Sequence, residues 1–302
     1  MQPIAQTCGA LTESPFWHPD EQALYWCDID GRQIGRRTES AAGAVVQHWP
    51  MPAEPGCIAP LRDGGLIVAM RDGIYRFDPD EPGAVPERLL AAPYDTTRFR
   101  FNDGRCDGAG RLLVGTLNEA KSASDAQLYQ VWREGQAWHC DAVAGGVMTA
   151  NGLALSPDGQ CLYWADTRAH RVDCFDYSPA TGSLGRRREF VAFSPPAANA
   201  APGAYGGRPD GAAVDAEGFY WVAMWEGAQL LRISPAGEIV QRLPVPVQCP
   251  TMPCFGGADL RTLYVTSASK GRPAAELAVQ PGAGGLFSTQ VAVPGLPVAF
   301  CG

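Results

Sequence analysis

One pattern recurs along this chain and limits what it can fold into: a polar turn with Asp or Gly, a short apolar strand, then another turn and another strand. It runs as His18-Pro19-Asp20-Glu21 before Ala23-Leu24-Tyr25-Trp26, and as Asp63-Gly64-Gly65 before Leu66-Ile67-Val68-Ala69. It returns as Asp107-Gly108-Ala109-Gly110 before Leu112-Leu113-Val114-Gly115, and as Ser156-Pro157-Asp158-Gly159 before Leu162-Tyr163-Trp164-Ala165. Asp215-Ala216-Glu217-Gly218 precedes Tyr220-Trp221-Val222-Ala223, and Gly257-Ala258-Asp259 precedes Leu263-Tyr264-Val265-Thr266. About six copies, roughly 40–60 residues apart, fall in the range of propeller blades.

Each Asp-Gly-type turn suits a tight hairpin because it tolerates positive φ. A second strand follows most copies, as in 73–77, 171–175 and 230–233. Alternation around Ile74 and Arg76, and around Val172 and Cys174, is the period of two that a sheet imposes. A sheet this small cannot bury both faces by itself, whereas six arranged radially bury one another and leave few edges exposed. The 35 Gly and 26 Pro supply the turns between short strands. No period of 3.6 residues is sustained, so helices should be rare. The pattern predicts an all-β chain: a six-bladed β-propeller of four-stranded blades around a central channel, as one domain over residues 1–302. A β-sandwich or a solenoid of similar strands is the competing arrangement. Closure is expected where Val291-Ala292-Val293-Pro294-Gly295 completes a blade with the N-terminal strand, because an open ring leaves an edge strand bare.

The net charge of −8 argues against nucleic acid or an anionic membrane as a partner, since both need clustered Lys and Arg. No stretch is apolar for long enough to span a bilayer. Met1-Gln2-Pro3-Ile4 has neither the basic nor the apolar region of a signal peptide, so a cytoplasmic location is expected. The ten Cys are scattered and do not read as a disulfide framework. Cys27 and Cys161 lie at apolar strand-like runs, where a free Cys acts as a small hydrophobe. Cys249 and Cys254 bracket Pro250-Thr251-Met252-Pro253; they could form a pair or a soft-metal site, and a buried, Pro-stiffened inner loop fits better.

In a propeller, polar residues at the ends of inner strands meet at the central channel. Four segments offer them: Leu11-Thr12-Glu13-Ser14-Pro15, Arg100-Phe101-Asn102-Asp103-Gly104, Ala150-Asn151-Gly152-Leu153 and Gly207-Arg208-Pro209-Asp210-Gly211. Each precedes a repeat turn by a similar distance, which places them at matched positions on successive blades. Taken singly, Asn-Gly and Asp-Gly are more often hairpin turns than ligands. Together, Glu13, Asn102, Asn151 and Asp210 form a ring of hard oxygen donors that suits Ca²⁺, Mg²⁺ or Mn²⁺ and also accepts Zn²⁺ or Fe²⁺. Trp17, Trp26, Trp164, Trp221 and Trp225 are expected between blades, with Trp225 also placed to wall a pocket. His18, His48, His139 and His170 lie in or beside turns and share no ligand spacing. Gly-x-Ser-x-Gly, His-Glu-x-x-His, Gly-Lys-Ser/Thr and Cys-x-x-Cys are all absent.

These segments, from Glu13-Ser14-Pro15 to Pro253-Cys254-Phe255-Gly256-Gly257, resemble the senescence-marker-protein/gluconolactonase/regucalcin family of six-bladed propellers. The resemblance implies that Glu13, Asn151 and Asp210 ligate one divalent metal. It implies that Arg100 and Asn102 contact substrate, and that Asp103 holds the loop. An acidic substrate contact follows the family's Gly-Thr-Met segment; here Gly115-Thr116-Leu117-Asn118-Glu119 puts Glu119 there, with the register open by a residue or two. The implied activity is metal-dependent hydrolysis of a small-molecule sugar lactone, with the metal as Lewis acid and Asp210 as general base. A promiscuous esterase or phosphotriesterase, and a non-catalytic calcium-binding protein, are the alternatives.

Overall fold

The computed structural model describes residues 1–40, 43–197 and 204–302. The repeat becomes six antiparallel sheets of four strands each, arranged as a six-bladed propeller. The inner strands of blades 1 to 6 are Thr12–His18, Pro55–Pro60, Phe99–Cys106, Ala150–Leu155, Arg208–Val214 and Pro250–Gly256. Each abuts the inner strand of the next blade, and Thr12–His18 abuts Pro250–Gly256 to close the ring. Among the described residues one short helix occurs, Ala274–Val279, and no helix is long and apolar enough to cross a membrane.

The core consists of six apolar clusters, one between each pair of neighbouring blades. Strand periodicity makes this arrangement work. On Ala23–Asp28, Leu24 and Trp26 point to the blade 6 side, while Tyr25 and Cys27 point to the blade 2 side. Alternate residues thus serve opposite faces of one blade, so an apolar run is buried throughout. Trp26 is 1% exposed and lies flat over Gly35, where any Cβ would sit 2.3 Å from the indole. Trp17, Trp164 and Trp221 are buried in the same inter-blade clusters.

Three expectations are corrected. First, closure uses Gln2–Ile4 against Leu286–Gln290 in blade 6, not residues 291–295. The tail instead crosses the far ends of the inner strands. Pro294 accepts from Ala216 N, Gly295 bridges Asp215, Phe300 stacks edge-on against His18, and Cys301 bridges Leu61. Edge satisfaction decides this: Leu286–Gln290 already carries the free ladder that Gln2–Ile4 needs. Second, four cysteines pair, as Cys106–Cys301 and Cys161–Cys174. The first pins the tail to blade 3 across 195 residues, and the second links two adjacent strands of blade 4. Neither juxtaposition is visible in linear spacing. Third, Cys249 and Cys254 are free and buried, and the run between them is the blade 6 inner strand rather than a loop.

Candidate active site

All six inner strands slip by one extra residue, five of them between Glu13 and Phe16, Phe101 and Gly104, Asn151 and Ala154, Pro209 and Ala212, and Pro250 and Pro253, and the sixth between Pro55 and Cys57. A bulge re-aims side chains and increases local twist. The dipeptides that read as turns, Asn151-Gly152 and Asp210-Gly211, therefore lie inside strands. Gly152 shows why glycine stands there. Its φ is +61°, and a Cβ would lie 2.3 Å from the Tyr220 hydroxyl, which donates to Gly152 O at 2.9 Å.

The bulges bring Glu13, Arg100, Asn102, Glu119, Asn151 and Asp210 to one cavity of about 280 Å³, at the end of the channel where the inner strands begin. A hydrogen-bond chain joins four of them. Arg100 Nη1 donates to Asn102 Oδ1 at 2.8 Å, and Asn102 Nδ2 donates to Asn151 Oδ1 at 2.6 Å. Asn151 Nδ2 then donates to Asp210 Oδ1 at 2.6 Å and to Thr167 Oγ1 at 2.7 Å. Glu119 accepts from Arg71 Nη2 at 2.6 Å and lies 3.6 Å from Arg100 Nε. Trp225, half-buried, walls the same cavity, and Thr149 contributes a buried hydroxyl that has no partner among the described residues. Two carboxylates brace the segments that lead into the floor. Asp28 accepts from Ala10 N, Leu11 N and Gly31 N, and Asp166 accepts from Met148 N, Thr149 N and Arg168 N.

Burial and mutual repulsion set the electrostatics. Burial pushes the Glu13 carboxyl well above its ordinary value, and the charges of Asp210 and Asp103 push it further. Asp210 is raised in the same way, by burial first and then by Asp103. Asp103 accepts Leu153 N at 2.8 Å, while its other oxygen is buried without a hydrogen-bond partner among the described residues. Burial raises it from 3.8 to about 6, against the pull of Arg105 and of N–H groups at Leu153, Gly104 and Gly152. A carboxyl raised on folding favours the folded state below its unfolded value, and that contribution is lost as pH rises through the folded value. Asp103→Asn should therefore gain stability on the parent between about pH 4 and about pH 7. Urea unfolding across that range checks it; parallel profiles for the two proteins would refute it.

Sequence reasoning passed over Thr149, Thr167, Lys121, Arg168, Arg208 and Lys270, all of which line the cavity. A usable signal existed for some of them. Lys121, Thr167 and Arg168 follow the second strands of blades 3 and 4, just after Asn118 and Asp166, at equivalent places on adjacent blades. A larger cavity of about 370 Å³ lies under the tail at the opposite end of the channel, walled by Trp17, Val214, Phe255, Leu296 and Val298. It is mostly apolar and gathers no carboxylate–amide set, so chemistry rather than size selects the smaller one.

The donor set fits a hard divalent cation. Two buried carboxylates, both raised by burial and Glu13 raised further by the charge of Asp210, share a floor with one amide, and a cation there would favour their charged forms. Among the described residues no three His, Cys, Asp or Glu side chains converge, so the amide of Asn151 completes the set.

A family model described as SMP-30/Gluconolactonase/LRE-like region matches residues 11–269. A 6-deoxy-6-sulfogluconolactonase of Pseudomonas putida is 42% identical over 296 residues, covering 97% of this chain and 95% of that protein. Regucalcin of Xenopus laevis is 31% identical over 301 residues, covering 97% and 95%. Among solved structures, a calcium-binding regucalcin from Agrobacterium tumefaciens superposes with a TM-score of 0.88 at 24% identity, covering 99% of this chain and 96% of that one. At that identity the match speaks for the fold alone.

Proposed function

The chain belongs to the SMP-30/gluconolactonase/LRE-like family, and on that premise we propose that it is a lactonase that opens a small sugar lactone to the aldonic acid. In this reading Glu13, Asn151 and Asp210 hold one divalent cation, and Arg100, Asn102 and Glu119 hold the substrate. One observation carries it: oxygen donors from blades 1, 4 and 5 line the floor of a single cavity, and a hydrogen-bond chain ties that floor to Arg100. An all-oxygen set favours Ca²⁺, Mg²⁺ or Mn²⁺ over Zn²⁺ or Fe²⁺. The curated lactonase relative at 42% identity supports the reaction class. The regucalcin relatives give weight to a second reading, cation binding without turnover.

When bound, the cation supplies Lewis acidity toward the ester carbonyl. The chain's own groups do the rest. Asp210 is positioned by the Asn151 amide and, with burial raising its proton affinity, is matched to take a proton from the attacking water. The water oxygen bonds to the carbonyl carbon, the ring C–O bond breaks, and the proton passes to the departing ring oxygen. Arg100 and Asn102 restrict the poses of the carbonyl and ring hydroxyls. Arg71 holds Glu119 at the wall, where its free oxygen can accept from a sugar hydroxyl. A cytoplasmic location is part of the same proposal.

The test is direct. Fresh aldonolactone is mixed with protein stripped by chelation, and acid release is followed above the spontaneous rate. Activity should vanish on stripping and return with one metal of a series. That metal should also raise the melting temperature, as a ligand at about 100 times its Kd adds about 2.7 kcal/mol. Stripped protein that turns over at the full rate rules the scheme out. Metal-dependent stabilisation with no turnover selects the second reading.

A further inference from the structure

The chain has two lysines, Lys121 and Lys270, and both line the site cavity, beside Arg100, Arg168 and Arg208. Five cations around one opening is a strong bias in a chain of net charge −8. Their partners separate them. Arg100 is committed to Asn102, to the Phe101 carbonyl and to Glu119. Arg208 pairs with Glu226 at 3.1 Å, and Lys270 pairs with Asp30 at 2.8 Å. Lys121 and Arg168 have no ion pair and no side-chain hydrogen bond among the described residues. They follow the second strands of adjacent blades and are exposed at the rim, whereas the carboxylates Glu13 and Asp210 lie at the floor. Partial burial, then the charges of Arg168, Arg100, Arg208 and Lys270, hold the Lys121 ammonium below the usual lysine range. The cavity is therefore bipolar, with an acidic floor and a cationic rim.

A neutral sugar lactone leaves that rim unanswered. Hydroxyl groups call for mixed donors and acceptors, and two unpartnered cations side by side repel each other. The geometry points to an anion subsite: Lys121 and Arg168 receive a fixed negative charge at the end of the substrate away from the lactone carbonyl. The substrate class is then an aldonolactone with a terminal sulfonate, phosphate or carboxylate. This rests on the lactonase reading and adds to it. Charge-assisted hydrogen bonds from Arg and Lys are the strong class, and a planar guanidinium takes two oxygens of such a group at once.

The experiment compares kcat/KM for a six-carbon aldonolactone with a free terminal hydroxyl and for its terminal sulfonate and phosphate counterparts. The parent should favour a charged lactone by about tenfold or more, mainly through KM. In the double variant Lys121→Met/Arg168→Gln that ratio should collapse to about threefold or less. The preferred arm, sulfonate or phosphate, identifies the group. A parent without preference, or a double variant that keeps it, overturns the subsite. So does an equal loss on charged and neutral lactones, which marks a structural role of the two residues rather than recognition of an anion. If no lactone is turned over, the lactonase reading fails, and binding still reads the subsite. Titration calorimetry then compares sorbitol 6-phosphate with sorbitol. Tighter binding of the phosphate that weakens with salt and disappears in the double variant upholds the subsite, and equal binding of the two overturns it.

Discussion

Asp210→Asn protein is expected to hydrolyse a fresh aldonolactone about 10³-fold more slowly than the parent, once the spontaneous rate is subtracted. The substitution keeps the shape and an acceptor oxygen for Asn151 Nδ2, so the chain from Arg100 to the floor survives. It removes the charge, and with it both the proton acceptor and one of the two carboxylates proposed to hold the cation. The stability outcome has the opposite sign. Asp210 is raised on folding, by burial first, so its contribution to stability is lost as pH rises through its folded value. Its charge also raises Glu13. The Asn variant should thus unfold at the same or a higher urea concentration than the parent at pH 8. Loss of activity with undiminished stability is the mark of a site held under electrostatic strain for a task. A well-folded variant of full activity would remove Asp210 from the mechanism.

Asp215→Ala should cost about 3–5 kcal/mol and lower the melting temperature by roughly 10 °C. Asp215 is fully buried, and one carboxylate serves four donors. Glu217 N and Phe219 N donate to Oδ1, both at 3.0 Å. Trp221 Nε1 donates to Oδ2 at 2.9 Å, and Arg232 Nε does so at 2.8 Å. The Arg232 guanidinium also lies 3.8 Å above the Phe219 ring. Truncation leaves two N–H groups, an indole and the Arg232 Nε unanswered in a poorly hydrated place, while Arg232 Nη2 keeps Glu217. Asp63 lies two residues further along the equivalent turn of blade 2, where Leu61 takes the place of Asp215, and its side chain is 45% exposed and binds Arg76 and Arg133 in solvent. Asp63→Ala should cost less than about 1 kcal/mol. Thermal melts of both variants decide the matter, and equal losses would show that burial at Asp215 does not carry the effect.

The contrast between these two aspartates marks how far sequence reading reaches. Both were legible as turn residues, and each does bend the chain at its repeat. Their energies were not legible, because local sequence does not say that Trp221 and Arg232 fold back onto one of them. The site shows the same split. Glu13, Asn102, Asn151 and Asp210 stood out because they recur at matched distances before the repeat turns, Arg100 entered through the family resemblance, and the structure brings all five to one cavity. Lys121 and Arg168 did not stand out, because their equivalence is one of position only: both follow second strands, but the residues around them do not repeat from blade to blade. Asn151-Gly152 and Asp210-Gly211 have the local chemistry of hairpin turns. Pairing with the second strands on one side and packing against the next blade on the other hold them as bulges instead.

The sequence by itself determined the blade: the spacing of turns, the period of two along each strand and the burial of both faces follow from neighbours a few residues apart. Only the tertiary structure decided what joins distant segments. Gln2–Ile4 closes blade 6, Cys301 reaches Cys106 so that the tail covers one mouth of the channel, and acidic floor and cationic rim meet at the other. The physical reason is range. Backbone sterics and alternation act over one turn or one strand, whereas pairing, burial and charge act on whatever closure of the ring brings within a few ångströms.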